Sequence, residues 1–220
     1  MIIVAEYERT FVHIKGPEDV LMDLSKGEIT REKIIDSAHA LFVSQGYHGT
    51  SMRQIALNAN IALGGIYNHF ANKEELFREV FYAYHPSREL LPILAAMEET
   101  TIEDLIRSGA RKMIKALEAR PDFLNLMFIE YVEFNNQHSK QLADVVVPNG
   151  TKLVSHLADA HVKLRDIPLP VVIRAFIGFF FSFYLTKVIT QDWADGKMNT
   201  ADLEYFITIF LHGVLKTVDG

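Results

Sequence analysis

Between residues 47 and 73 the chain sets hydroxyls, amides and cations at short intervals without one carboxylate among them: Thr50, Ser51, Arg53, Gln54, Tyr67, Asn68, His69 and Lys73. Hydroxyls, imidazoles and ammonium groups are the donors that nucleic-acid phosphates accept from, while the planar fork of an arginine can grip guanine O6 and N7. On this inventory Thr50, Ser51, Tyr67, His69 and Lys73 are positioning groups that face phosphate. Arg53 is the candidate base reader, with Gln54 and Asn68 as amide readers and Ala62 or Leu63 as the apolar contact for a thymine methyl group. Gly64 and Gly65 fall in the same window. Glycine inside a helix costs about 1 kcal/mol against alanine, and close approach of the backbone to DNA would explain two of them. The competing reading is a plain three-helix bundle, with Tyr67 and His69 as half-buried packing residues and Arg53 as a solvated charge. The coincidence of the acid-free window with a turn and a capping signal favours the first reading.

Other chemistries find no support in the pattern. The nine histidines include no pair at the i, i+4 spacing that puts two imidazoles on one helix face; His156 and His161 stand five apart. There is no Glu-x-x-His pair, no Gly-x-Ser-x-Gly elbow and no phosphate-binding Gly-x-x-x-x-Gly-Lys loop. With no cysteine, disulfides and thiolate metal sites are excluded. No metal, cofactor or catalytic activity is expected. Asn149-Gly150-Thr151 matches the glycosylation pattern and is read as a turn. Glu130 and Glu133 share a helix face with Gln137, which makes them a solvated stripe or, alternatively, a site for a cationic effector.

The elements that must position the acid-free window follow from periodicity. Thr30 can cap a helix over 30–46 whose stripe is Ile34, Ile35, Ala38, Leu41 and Phe42, with Gly46 closing it. Thr50 or Ser51 starts a short second helix carrying Met52, Ile55, Ala56 and Ala59. Asn60 occupies a turn position that needs a positive φ, and a third helix follows with Ile66, Tyr67 and Phe70 on its inner side. Two short helices joined by a tight turn make a helix-turn-helix. Asn72 with Glu75 resembles a capping box opening a helix through Leu76, Phe77, Val80, Phe81 and Tyr84, which Pro86 stops; Pro92 repeats the interruption. Further helices are expected near 102–119, 122–135, 139–161 with a break at 148–150, 169–189 and 201–218.

The run from Gly49 to Phe77, GTSMRQIALNANIALGGIYNHFANKEELF, resembles the DNA-binding signature of the tetracycline-repressor (TetR) family of transcriptional regulators. Its core is Ile66-Tyr67-x-His69-Phe70-x-x-Lys73-Glu74. The resemblance implies a homodimeric repressor whose second helix-turn-helix element enters the major groove and whose C-terminal body binds a small inducer. The chain departs from the family pattern at Asn60 for the usual turn glycine, at Ala62 for a frequent Ser or Thr cap, and at Leu63-Gly64-Gly65, which leaves few base-reading side chains.

Length and composition set the frame. Two hundred and twenty residues, 49% hydrophobic and 23% charged, describe a globular chain with ample length for a core. The formal charge is −6, yet residues 29–85 are neutral and the deficit lies on either side. The longest uncharged apolar stretch, from Ala175 to Thr186, is 12 residues, short of the roughly 20 that span a bilayer. No membrane role is expected, and the absence of a charged-then-apolar leader points to the cytoplasm. Residues 1–28 are strand-prone up to Gly16-Pro17. They are either a short added hairpin or, with Met22 as an alternative start, partly an annotation artefact.

The last two expected helices are apolar on nearly every side, through Phe176 to Tyr184 and Leu203 to Leu215, and such helices must be covered all round. A second copy of the chain is therefore expected to cover them. The candidate interface is Arg174, Gly178, Phe180, Ser182, Phe206, Phe210 and Gly213, and the small members of the stripe Arg174, Gly178, Ser182, Thr186 would let a helix approach. Met113, Phe123, Met127, Phe128, Tyr131 and Phe134 are the candidate lining for a hydrophobic or aromatic effector, with plain core as the alternative. The fold expected is all-α: an extension over 1–28, a three-helix helix-turn-helix domain over 29–75 and a larger helical regulatory and dimerisation domain over 76–220. The function expected is repression from a palindromic operator, relieved by a small ligand. The alternative is an all-α small-molecule carrier or enzyme with a vestigial helix-turn-helix.

Overall fold

The computed structural model describes residues 25–88, 101–142, 165–190 and 200–214, and these are helices with their connections and no strand. The strand-prone extension up to residue 24 lies outside them, as do Pro92, the expected helix beyond 142 with its break at 148–150, and the tail beyond 214. The helices are α1 (Lys26–Gly49), α2 (Met52–Asn58), α3 (Leu63–Tyr67), α4 (Lys73–Tyr84), α5 (Ile102–Glu118), α6 (Phe123–Phe134), α7 (Leu169–Thr190) and α8 (Thr200–Val214). They fall into two compact units, Met1–Arg88 with Asp122–Val145, and Glu89–Pro121 with Val146–Gly220. The units thus cross the chain-order boundary expected at 75/76, because α6 folds with the N-terminal helices.

Local signals set most helix ends. The start of α1 is not at Thr30: Ser25 accepts from the Glu28 amide at 3.3 Å while the Glu28 carboxylate accepts from the Ser25 amide at 2.7 Å. This capping box precedes the apolar stripe, so periodicity alone starts the helix too late. Thr30 instead donates to the Lys26 carbonyl. Gly46 breaks the helical path with φ 71°, a left-handed value that suits glycine, and one further turn carries the chain to Gly49. Asn72 caps α4 by accepting from the Glu75 amide at 2.8 Å, and Glu75 reaches past the cap to accept from Ala71. His85 ends α4 just before Pro86, as expected.

The first unit closes on Ile34, Ala38, Phe42, Ile55, Ile66, Phe70, Leu76, Phe77, Val80 and Phe81, all essentially without exposed surface. From α6, Phe134 stacks on Phe77 at 4.8 Å and meets Tyr47 edge-on at 4.9 Å. Glu130, expected in a solvated stripe or at a cationic effector, is fully buried. Its carboxylate accepts from the amides of His138 at 2.7 Å and Ser139 at 3.0 Å and bonds the His138 ring Nδ1 at 2.8 Å. The physical reason is the chain reversal at Asn135 and Asn136, both at positive φ, which folds the helical segment 137–142 back so that its orphan amides need an acceptor.

The second unit packs α5, α7 and α8 around phenylalanines. Phe176, Phe179 and Phe180 of α7 lie 5.6–5.8 Å from Phe210 of α8, and Phe183 meets Phe206 edge-on at 4.9 Å. Gly109 of α5 admits Phe176, since a Cβ there would stand 3.4 Å from its ring. Surface ion pairs of Arg111 with Glu204 and Lys187 with Glu118 tie the same helices. The full 22 residues of α7 are long and apolar enough to cross a membrane by length and composition, which the 12-residue uncharged stretch did not suggest.

Two outcomes test this unit-by-unit account. Glu130→Ala should destabilise the protein by about 3 kcal/mol or more in urea titration, since at least two buried N–H donors lose their acceptor at about 1–3 kcal/mol each; Glu130→Gln should fall between. Burial pushes the His85 imidazole down from 6.5 to about 3, so the unfolded chain binds the extra proton between those values. Stability from this group is complete above the unfolded value and is lost as pH falls toward the folded one. The urea midpoint measured from pH 7 to 4 should drop less steeply in His85→Asn, whose side-chain oxygen can still accept from the Ser87 amide, as the His85 Nδ1 does at 3.1 Å.

Candidate nucleic-acid interface

Helices α2 and α3 are locked together by Ile55, Ala56 and Ile66, all buried, and by the turn between them. Asn60 takes φ 55°, and the Ile61 amide donates back to Ala56 at 2.9 Å. Ser51 caps α2, the second of the two starts expected. Its hydroxyl accepts from the Gln54 amide while the Gln54 side chain accepts from the Ser51 amide at 2.8 Å.

The structure separates the expected contact residues into two groups. Thr50 is 2% exposed, and its hydroxyl is shared between the carbonyls of Gly46 at 2.8 Å and Leu41 at 3.1 Å. Gln54 closes the Ser51 box and also donates to Gln45 at 3.2 Å. Lys73 donates to the carbonyls of Tyr47 at 2.8 Å and Thr50 at 2.9 Å, with its ammonium 4.1 Å from the centre of the Tyr47 ring. Desolvation lowers its pKa, and Glu133 opposes the shift. Where the sequence suggested phosphate and base contacts, these three side chains hold the α1–α2 connection.

The second group faces outward. Arg53 is exposed, with no hydrogen bond or ion pair among the described residues. Tyr67, expected on the inner side of its helix, is 51% exposed, because the inner positions of so short a helix are filled by Ile66 and by Phe70 just beyond it. Ala62, Leu63, Gly64 and Asn68 are exposed as well, and Gly65 and His69 are half-buried. Sequence reasoning missed Leu57, 81% exposed on α2; it lies off the stripe of Met52, Ile55 and Ala56, which is the signal that could have found it. It also missed His48, whose ring bonds Glu133 at 2.6 Å across 85 residues of chain, a pairing with no local signature.

The other expected sites are placed as follows. Met113 is buried in the second unit, while Phe123, Met127, Phe128, Tyr131 and Phe134 belong to the first. Phe134 and Phe123 are spent in aromatic contacts with Phe77 and His85, whereas Phe128 and Tyr131 are exposed. Of the candidate interface, Phe180 and Phe210 are buried in their own unit and Phe206 is half-buried. Arg174, Gly178, Ser182 and Gly213 are exposed.

Comparison with known proteins bears on the same segment. Residues 34–80 match the family of bacterial regulatory proteins, tetR family. The uncharacterized HTH-type transcriptional regulator YvkB of Bacillus subtilis is 25% identical over 84% of this chain and 97% of its own length. The negative transcriptional regulator IcaR of the biofilm operon icaADBC in Staphylococcus epidermidis is 43% identical over 49 residues, 22% of this chain and 26% of IcaR. In structure, NalD of Pseudomonas aeruginosa, the secondary repressor of the MexAB-OprM multidrug efflux pump, superposes with a TM-score of 0.65 at 20% identity. That superposition covers 87% of this chain and all of NalD.

The division of the contact residues has a direct readout in thermal melting. Lys73→Ala should lower stability by about 1–3 kcal/mol, the worth of charge-assisted bonds at a partly exposed site, and Arg53→Ala should leave the melting curve within about 0.5 kcal/mol of the parent.

Proposed function

We propose that this chain, a tetR-family protein by residues 34–80, is a transcriptional repressor that binds a palindromic operator in the cytoplasm as a homodimer and leaves it when a small molecule binds. The observation that carries the reading is the outward face of α2 and α3, where Arg53, Tyr67 and Asn68 stand exposed in a segment without a carboxylate. Residues 29–75 are the proposed reader and 76–220 the proposed regulatory and dimerisation part. Within the reader, Arg53 takes a guanine edge, Asn68 an amide contact, and Ser51, Tyr67 and His69 the phosphates. The third N–H of Lys73 remains for a phosphate, and the Gln54 amide is engaged in its cap.

The dimer reading draws support from α7 and α8. Phe180, Phe183 and Phe210 are buried, yet Val171, Ile177 and Ile189 are exposed, and so are Tyr205 and Ile209. Arg174, Gly178 and Ser182 run between the exposed apolar residues of α7, and a second copy covering this face answers the requirement that a helix apolar all round be buried all round. A twofold dimer reads half-sites about 34 Å apart or a multiple of that, so a ligand that favours another separation weakens binding by a coupling free energy. The effector is proposed to be hydrophobic or aromatic, with Met127, Phe128 and Tyr131 as the available side chains. Repression of an operon, as named for IcaR and NalD, is the relation to target genes that this proposal adopts. The proposal assigns no catalytic activity and no cofactor.

Purified full-length protein should enrich palindromic duplexes from a random-sequence pool, and binding should weaken steeply with salt. A small-molecule carrier or enzyme would enrich nothing. On the selected duplex Arg53→Ala should cost about 1–3 kcal/mol and relax preference at one guanine per half-site, with little loss on scrambled DNA. Gly178→Glu should sediment as a folded monomer; a wild-type chain that is monomeric at micromolar concentration overturns the dimer.

A further inference from the structure

Two histidines of α1 face carboxylates of α6. Near the middle of α1 the His39 ring lies flat on the Tyr84 ring of α4, with centres 3.6 Å apart, and its Nε2 stands 3.9 Å from the Asp122 carboxylate at the start of α6. That is within ion-pair range and beyond hydrogen-bond length. In the last turn of α1, His48 bonds Glu133 near the end of α6 at 2.6 Å. Asp122 and Glu133 are about 16 Å apart along α6, so the two histidines meet it near both ends.

Local structure does not account for the first pair. Asp122 occupies the cap position of α6, where an aspartate ordinarily accepts from the first amides, yet its side chain makes no capping bond. The chain leaves the first unit after Arg88 and returns to it at Asp122. His39 therefore meets the chain on both sides of that excursion, through Tyr84 at the end of α4 and through Asp122. His48 stands one residue past the ring that Lys73 covers, and it ties the last turn of α1 to the helix that carries Met127, Phe128 and Tyr131. The charged groups around His39 are Asp122 and Asp36, which accepts from Tyr84 at 2.8 Å. Around His48 they are Glu133, with Lys73 and Glu74 of α4 acting on the adjoining Tyr47. From α2 the contact is the amide pair of Gln54 with Gln45, which does not titrate.

We propose that His39 and His48 are positioning residues that hold α6 on α1 according to their protonation, so that operator binding tightens as pH falls through the imidazole range. The inference deepens the operator-binding reading and rests on it. An imidazolium pairs with a carboxylate more strongly than a neutral imidazole does, and histidine is the side chain whose ordinary titration falls between about pH 5 and 8. The held form has these pairs and a form with α6 released does not, so the held form binds the protons more tightly. Falling pH favours the held form and rising pH favours release. The operator selects the held form, because the turn of α1 that His48 anchors is the one whose closure orients α2 and α3. His39, with its side chain 15% exposed, carries the larger share, since water screens the pair of His48, which is 77% exposed. Two other histidines take no part: burial holds His85 down to about 3, and His138 bonds a carboxylate that two backbone amides fix in place.

The test uses full-length protein and the duplex it selects from a random pool, with affinity measured from pH 8 to 5.5 at fixed ionic strength. Over that range wild type should tighten roughly fivefold more than the double variant His39→Gln/His48→Gln, as expected for one partly buried and one exposed pair. His69, assigned to phosphate, titrates in both proteins and cancels in the comparison. Asp122→Asn keeps both imidazoles and should lose most of the same difference, whereas a merely structural role would weaken binding equally at every pH. Without DNA, hydrogen exchange of the α6 amides, corrected for its intrinsic pH dependence, should slow in wild type as pH falls and not in the double variant. Parallel pH profiles for wild type and the variants overturn the proposal, and so does α6 exchange that is the same with and without the histidines. If the double variant does not fold, Asp122→Asn, whose side chain caps nothing, carries the comparison. Failure to enrich any duplex overturns the operator reading, and the exchange measurement then still decides whether the histidines hold α6.

Discussion

The C-terminal end of α1 has to be closed before anything beyond it can be placed. Gly46 breaks the helical path near the end of α1, where the Tyr47 carbonyl accepts from the Thr50 amide at 3.3 Å and the Thr50 carbonyl lies beyond the helix. The ammonium of Lys73 donates to both carbonyls and lies against the Tyr47 ring, while the Thr50 hydroxyl satisfies Gly46 and Leu41. This joins the first residue of α4 to the last turn of α1, and α2 and α3 are held in the loop between. The orientation of the outward face of α2 and α3 is a consequence of that clasp.

The clasp has a cost in chemistry. The Thr50 hydroxyl and two of the three N–H groups of Lys73 are taken up in it, and the Gln54 side chain is taken up by Ser51 and Gln45 at the start of α2. The outward face keeps Ser51, Arg53, Tyr67, Asn68 and the apolar rim of Ala62 and Leu63 exposed. Glu133 of α6 meets His48 one residue beyond Tyr47, so α6 also bears on the clasp, and its charge opposes the desolvation of Lys73.

The second unit shows another balance. Phenylalanines on α7 and α8 meet at ring separations of 4.9–5.8 Å, and this core consumes one side of each helix. Composition alone cannot say which phenylalanines turn inward, because a helix that is apolar all round has no preferred face until neighbours choose one. Phe176 turns toward Gly109 of α5.

The described helices, their order, most of their ends and the helix-turn-helix were legible in the residues alone. Those depend on interactions within about four residues: the 3.6-residue stripe, the Ser51 and Asn72 caps, the turn at Asn60 and the stop at Pro86. The capping box of Ser25 and Glu28 that starts α1 is a local signal as well. Tertiary structure alone decided which polar groups face out. Lys73 finds Tyr47 across 26 residues, Glu133 finds His48 across 85, and Glu130 is buried because the chain doubles back onto it. No local rule carries that information: a polar side chain is spent on the fold or left for a partner according to which unsatisfied backbone groups the folded chain brings within its reach.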